Sequence, residues 1–126
     1  MSAVFPESVL PQRSLGESDA WIPSIGFGAA SLGNLFRETT DAEAANAVDT
    51  AWNLGIRSFD TAPHYGLGLS ERRLGAALAS RPRAEYSIST KVGRLLVPNP
   101  SPTGLDSGGF VVPDDLMRQW DFSRDG

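Results

Sequence analysis

The chain has 126 residues, with 11 Lys and Arg against 15 Asp and Glu, a formal charge of −4 and no cysteine. That length can bury a real hydrophobic core, but a closed eight-stranded (β/α) barrel takes about 250 residues. The missing cysteines exclude disulfides, thiolate metal ligands and a cysteine nucleophile, and an acidic chain without a basic run argues against binding a nucleic-acid backbone.

Hydrophobic residues at 40% and charged residues at 21% are globular proportions. No apolar stretch approaches the ~20 residues of a membrane span. Met1 to Glu7 lacks the basic and apolar regions of a secretion signal. The expectation is a soluble cytoplasmic protein with no metal site, membrane or nucleic-acid partner.

In chain order, residues 1–11 hold two prolines and no periodicity and read as a flexible leader. Gln12 to Leu15 and Trp21 to Pro23, joined by a Gly-Glu-Ser-Asp turn, read as a small hairpin. Ile25 to Ala30 is short, apolar and glycine-rich, the pattern of a buried strand that something approaches closely. Leu32 to Thr39 reads as a loop. Thr40-Asp41-Ala42-Glu43 is a capping box. The helix it opens carries Ala44, Ala47, Val48, Ala51, Trp52 and Leu54 on an apolar stripe and ends at Gly55, suited to a left-handed cap.

Ile56 to Asp60 then reads as a strand ending on a carboxylate, and Thr61 to Leu69 as a loop. A second helix is expected from about Ser70 to Ala79, with Leu74, Ala77 and Leu78 inward and Glu71, Arg72 and Arg73 solvated. Tyr86 to Lys91 reads as a third strand ending on a lysine. Strand, helix, strand, helix, strand favours βαβ units and a parallel sheet. Gly93 to Pro113, with four glycines and four prolines, reads as a long loop of the kind that is a lid, a binding loop or disordered. Phe110, Leu95 and Trp120 are its candidates for apolar contacts at a site. Asp121 to Gly126 resembles a helix start with Ser123 as N-cap.

Three polar residues fall at or just beyond the C-terminal ends of these strands, the edge where parallel α/β folds bind ligands: Asp60, Tyr65 and Lys91. Their chemistry is complementary. A free tyrosine is a poor acid or base at neutral pH, since its pKa is about 10. A nearby ammonium favours the phenolate, and a carboxylate beside the lysine keeps that lysine charged. Together they describe a general acid or base. The bland alternative is a structural Asp60–Lys91 ion pair beside a half-buried tyrosine. A Rossmann phosphate loop at Gly26 to Ser31 fits poorly, because a helix should open directly after the glycines and the capping box comes about ten residues later.

Four ordered stretches, Gly26 to Gly33, Phe59 to Gly66, Ser70 to Gly75 and Ser89 to Arg94, resemble the aldo/keto reductases. The wording His64-Tyr65-Gly66-Leu67-Gly68-Leu69-Ser70-Glu71 and the exit Gly93-Arg94-Leu95-Leu96 are similar to the branch of sugar and pyridoxal dehydrogenases. The resemblance covers about residues 12–126. It implies Tyr65 as proton donor or acceptor, Lys91 as the residue that tunes it and Asp60 as the partner of Lys91. NADP or NAD would lie near Gly28, Ala29, Ala30 and Asp60, with a small carbonyl or alcohol such as an aldose or pyridoxal as substrate; His64 reads either as a substrate contact at the barrel mouth or as a partly exposed loop residue. That family's further catalytic histidine, on its fourth strand, has no counterpart here, and most of its cofactor contacts fall on later strands.

The fold expected is therefore α/β: a truncated N-terminal portion of a (β/α)8 TIM barrel at 12–126, with about three strands, two helices, a long loop at 93–120 and the start of a third helix. Unpaired sheet edges and an uncovered apolar barrel-facing side would favour self-association. Such a chain is expected to be inactive alone. The rival function is a non-catalytic fragment or assembly module.

Overall fold

The computed structural model describes residues 10–126, so most of the leader lies outside the described residues. Strands β1 (Gln12–Ser14) and β2 (Trp21–Pro23) form the expected antiparallel hairpin. Beyond it, β3 (Phe27–Gly28), β4 (Ser58–Asp60) and β5 (Ser87–Ser89) form a parallel sheet in the order β3-β4-β5. Helix α1 (Asp41–Asn53) joins β3 to β4, and α2 (Leu69–Leu78) joins β4 to β5. Helix α2 starts one residue before the expected Ser70.

Both ends of α1 follow from local chemistry. The Thr40 hydroxyl accepts from the Glu43 N–H at 3.1 Å, and the Glu43 carboxylate accepts from the Thr40 N–H at 2.7 Å, completing the capping box. At the other end Gly55, at φ +92°, donates to the Trp52 carbonyl, and Ile56 donates to that of Ala51. This is a Schellman ending, which needs a residue comfortable in the left-handed region. Arg57, buried against the Trp52 ring at 3.7 Å, donates to the Trp52 and Ile56 carbonyls and so caps the same end.

The main core lies between the sheet and the helices. Ala29, Leu32, Ala44, Val48, Phe59, Leu74 and Leu78 are buried there, with Phe27, Trp52 and Tyr86 packed at its margin. Ala47 and Leu54 do not join them: both are exposed, and Leu54 is the helix cap rather than part of its stripe.

Several expectations need correction. The first strand is two residues long, because at Ala29 the chain turns into a 3-10 helix through Gly33. The third stops at Ser89, two residues short of Lys91. Arg73 is not solvated: its guanidinium donates to the Leu32 and Thr39 carbonyls, the Asn34 and Thr39 side chains and Asp41. It stitches α2 to the segment leading into α1.

The sheet face away from the helices is not apolar either. Strand alternation puts Gly28, Ser58, Asp60, Ser87 and Ser89 there, while Phe27 and Phe59 point to the core. The expected long loop contains an antiparallel ribbon of β6 (Arg94–Pro98) and β7 (Leu116–Trp120). Residues 121–126 form no helix. Ser123 Oγ accepts from the Gly126 N–H at 3.3 Å, the bond expected of a cap, while the Ser123 N–H donates to the Asp121 carboxylate at 2.9 Å, so the turn closes without a helix.

Candidate active site

Asp60 is the last residue of β4, and its carboxylate takes two donors. Ser89 Oγ donates to Oδ1 at 2.7 Å, and Lys91 Nζ donates to Oδ2 at 2.8 Å. Ser87, Ser89 and Lys91 alternate onto one face as β5 runs out, which brings the lysine from the neighbouring strand to the carboxylate. Lys91 Nζ also donates to the Thr61 carbonyl at 2.9 Å and stands 5.0 Å from the Tyr65 ring centroid. The three expected residues therefore do converge.

Their electrostatics agree with that geometry. The hydrogen bonds from Lys91 and Ser89 hold the Asp60 carboxyl below its ordinary pKa. The hydrogen bond to Asp60, supported by the Tyr65 hydroxyl, raises the Lys91 ammonium above its ordinary value against the opposing effect of burial. His64 is lowered, first by burial and then by the nearby charges of Arg94, Arg118 and Lys91. Its imidazole is neutral at neutral pH.

Tyr65 sits on a turn wedged between two supports. Below it, the Gly33 and Gly66 backbones touch so closely that a Cβ on Gly33 would stand 2.5 Å from the Tyr65 carbonyl carbon. Above it, Tyr65 stacks on the buried Phe110 with ring centroids 5.7 Å apart, and His64 meets Tyr65 edge-on at 4.9 Å. Phe110 belongs to a second buried cluster with Leu67 and Val112. That cluster ties the β6–β7 segment to the tyrosine turn.

Behind the site, Ser70 Oγ donates to the Ala29 carbonyl at 2.6 Å and shares a 2.8 Å hydrogen bond with Thr61 Oγ1. These fully enclosed bonds clamp the exits of β3 and β4 together. Gly28 pairs with Asp60 across the ladder, and a Cβ placed on it would meet nothing within 4 Å. Open space therefore lies beside the carboxylate. Ala30 is half-buried, while Ala29 buries its methyl in the main core and offers only backbone at this edge. Beside Lys91, a cleft of about 220 Å³ is lined by Pro63, His64, Lys91, Val92, Arg94 and Trp120. Among the described residues no group of His, Asp or Glu is arranged to hold a metal ion, and no helix is long and apolar enough to cross a membrane.

Phe110, Arg118, Asp106, Gly33 and Ser70 support the site, yet none was singled out for it by sequence spacing except Phe110 as an apolar contact. Gly33 and Ser70 lie inside the resembling stretches, which was the available signal. The Asp106–Arg118 pair had none, since its partners come together only when the ribbon forms.

A βαβαβ sheet with an Asp, a Lys and a Tyr gathered at its C-terminal edge defines an α/β enzyme-like scaffold. The Aldo/keto reductase family model matches residues 24–111, and the chain belongs to that family. It is 59% identical over 108 residues to a D-threo-aldose 1-dehydrogenase from Pseudomonas sp, a match covering 83% of this chain and 33% of that protein. It is 39% identical over 124 residues to a pyridoxal 4-dehydrogenase from Microbacterium luteolum, covering 91% of this chain and 36% of the relative. The structure is similar to the holo form of an aldo-keto reductase from Bacillus halodurans, with a TM-score of 0.62, 31% identity and coverage of 89% of this chain and 30% of the other. The chain spans about a third of the length of the relatives it matches.

Proposed function

We propose that these residues form the proton-transfer side of an NAD(P)-dependent oxidoreductase site acting on a small carbonyl or alcohol substrate, with an aldose or pyridoxal as the substrate class. The observation that carries the reading is the convergence of Lys91 on both Asp60 and the Tyr65 ring, at 2.8 Å and 5.0 Å. A flat nicotinamide ring fits the face they share, since Gly28 opens onto free space there and Ser58, Ser87 and Ser89 are small. Gly28, the Ala29 backbone, Ala30 and Asp60 would border it. A nicotinamide held there would supply hydride exchange with the substrate carbon.

The chain's own residues supply the proton. In reduction the Tyr65 hydroxyl gives its proton to the carbonyl oxygen as the alcohol forms; in oxidation the phenolate takes the alcohol proton. Lys91 places its ammonium beside the Tyr65 ring, and Asp60 keeps Lys91 charged and aimed. Water is excluded on one side by Phe110 and the ribbon. His64, neutral and lining the cleft beside Lys91, is placed to contact substrate hydroxyls.

A three-stranded sheet supplies one side of such a site. The 126-residue chain alone is therefore expected to show negligible turnover, and Tyr65-dependent, NAD(P)-linked oxidation by it would overturn that expectation. The catalytic reading is tested by placing residues 12–126 in the corresponding third of the Pseudomonas sp relative and assaying aldose oxidation. Tyr65→Phe should lower kcat by about 10²-fold or more with little change in KM. A chimaera that folds but neither binds nicotinamide nor turns over would favour the rival reading, an assembly module.

A further inference from the structure

The Arg118 guanidinium, on β7, is forked between two elements. Nη1 and Nη2 donate to the two carboxylate oxygens of Asp106 at 2.7 and 3.0 Å, and Nη2 also donates to the His64 carbonyl at 3.1 Å. That carbonyl belongs to the peptide bond joining His64 to Tyr65. The N–H of the same peptide donates to the Ala62 carbonyl at 3.2 Å, so the plane that launches the tyrosine is held on both edges.

Asp106 is the fixed end of this latch. Its side chain is 5% exposed and that of Arg118 is 19% exposed. Beside Arg118, the Gly108 and Phe110 N–H groups also hold the carboxylate ionised. The residue that anchors Arg118 also donates its own N–H to the Val112 carbonyl at 2.9 Å, two residues beyond Phe110, the ring on which Tyr65 stacks. Gly108 admits the guanidinium, for a Cβ there would stand 2.7 Å from it. One part-buried ion pair therefore touches the backbone of the tyrosine turn and the segment that carries its ring support.

We propose that Arg118, anchored by Asp106, is a positioning residue that sets the Tyr65 phenol against Lys91. The proposal rests on Tyr65 as the proton donor or acceptor. Arginine suits the role because its planar fork reaches two acceptors at once, whereas a lysine places a single ammonium.

Arg118→Lys separates the latch from the ion pair, keeping the charge on Asp106 while releasing the His64 carbonyl. The readout is NMR on the 126-residue chain, which has two tyrosines and one histidine, so Tyr86 serves as internal control. The expected result is loss of the Tyr65 ring contacts to Phe110 and Lys91 and a shift of the His64 ring signals. The β6–β7 amides should stay protected, and the Tyr86 contacts to Trp52 and Phe59 should persist. A second variant, Arg118→Met with Asp106→Asn, removes the pair without stranding a charge and should give the same pattern.

Unchanged Tyr65 contacts in both variants would overturn the proposal. So would their loss only together with the ribbon ladder, which would make the pair a fold element alone. A chimaera indifferent to Tyr65→Phe would instead remove the catalytic reading while leaving these contacts as observed.

Discussion

Asp60–Lys91 and Asp106–Arg118 are the two ion pairs around Tyr65, and burial separates their energetics. Asp60 and Lys91 are 50% and 44% exposed, so solvent screens them and the pair contributes less than about 1 kcal/mol. The Asp106 side chain is enclosed, and removing it leaves a part-buried guanidinium facing a lost partner. Asp106→Ala should therefore cost about 3 kcal/mol, against under 1 for Asp60→Asn, as urea denaturation would show. The pH dependence has the same origin. Both carboxyls titrate below their ordinary range in the fold, so their contribution is complete above it and is lost as pH falls through the depressed values. Acidification below about pH 4 should weaken the chain, and Asp106→Asn should flatten that acid limb more than Asp60→Asn. Equal effects from the two would contradict this division.

Elements differ in how far local sequence determines them. Helix α1 was legible because its signals are local: Thr40 and Glu43 lie three residues apart, and Gly55 follows the last turn. The convergence of Asp60 and Lys91 was legible for a similar reason, since Asp60 ends β4 and Lys91 lies two residues beyond β5, and the β character of both strands is short-range. The ribbon was not. Its strands pair residues about 20 positions apart, the segment is punctuated by proline and glycine, and Asp114 organises its turn through bonds to Thr103 and Gly104 that no periodicity announces. The charge of Arg73 suggests solvent, whereas its partners are carbonyls and side chains gathered beside the 3-10 turn at Ala29–Gly33. The same turn carries the tightest backbone approach at the site. Gly33→Ala would drive a methyl group into the Tyr65 backbone. It should cost about 1–3 kcal/mol and loosen the tyrosine turn, measured as a lower thermal midpoint with faster amide exchange at residues 64–68. Unaltered exchange there would contradict the close approach.

For the whole molecule, the described structure gives the sheet two unpaired edges, since β3 and β5 each pair only with β4. Ile25, Val92, Trp120 and Phe122 are also exposed. Open edges and exposed apolar groups favour association, so sedimentation of the 126-residue chain should show concentration-dependent oligomers; a monomer with a concentration-independent thermal transition would count against it. The family was readable from four ordered stretches, and the βαβαβ order from periodicity. The small polar character of the inward face was missed, although the alternation of Ser87, Ser89 and Lys91 was there to be read. That face is where the site's chemistry is proposed to occur. The decisive measurement is the steady-state rate of NAD(P)-linked aldose oxidation by the chimaera with and without Tyr65→Phe. A fall in kcat of about 10²-fold or more at nearly constant KM is expected; an undiminished kcat would contradict the assignment of Tyr65.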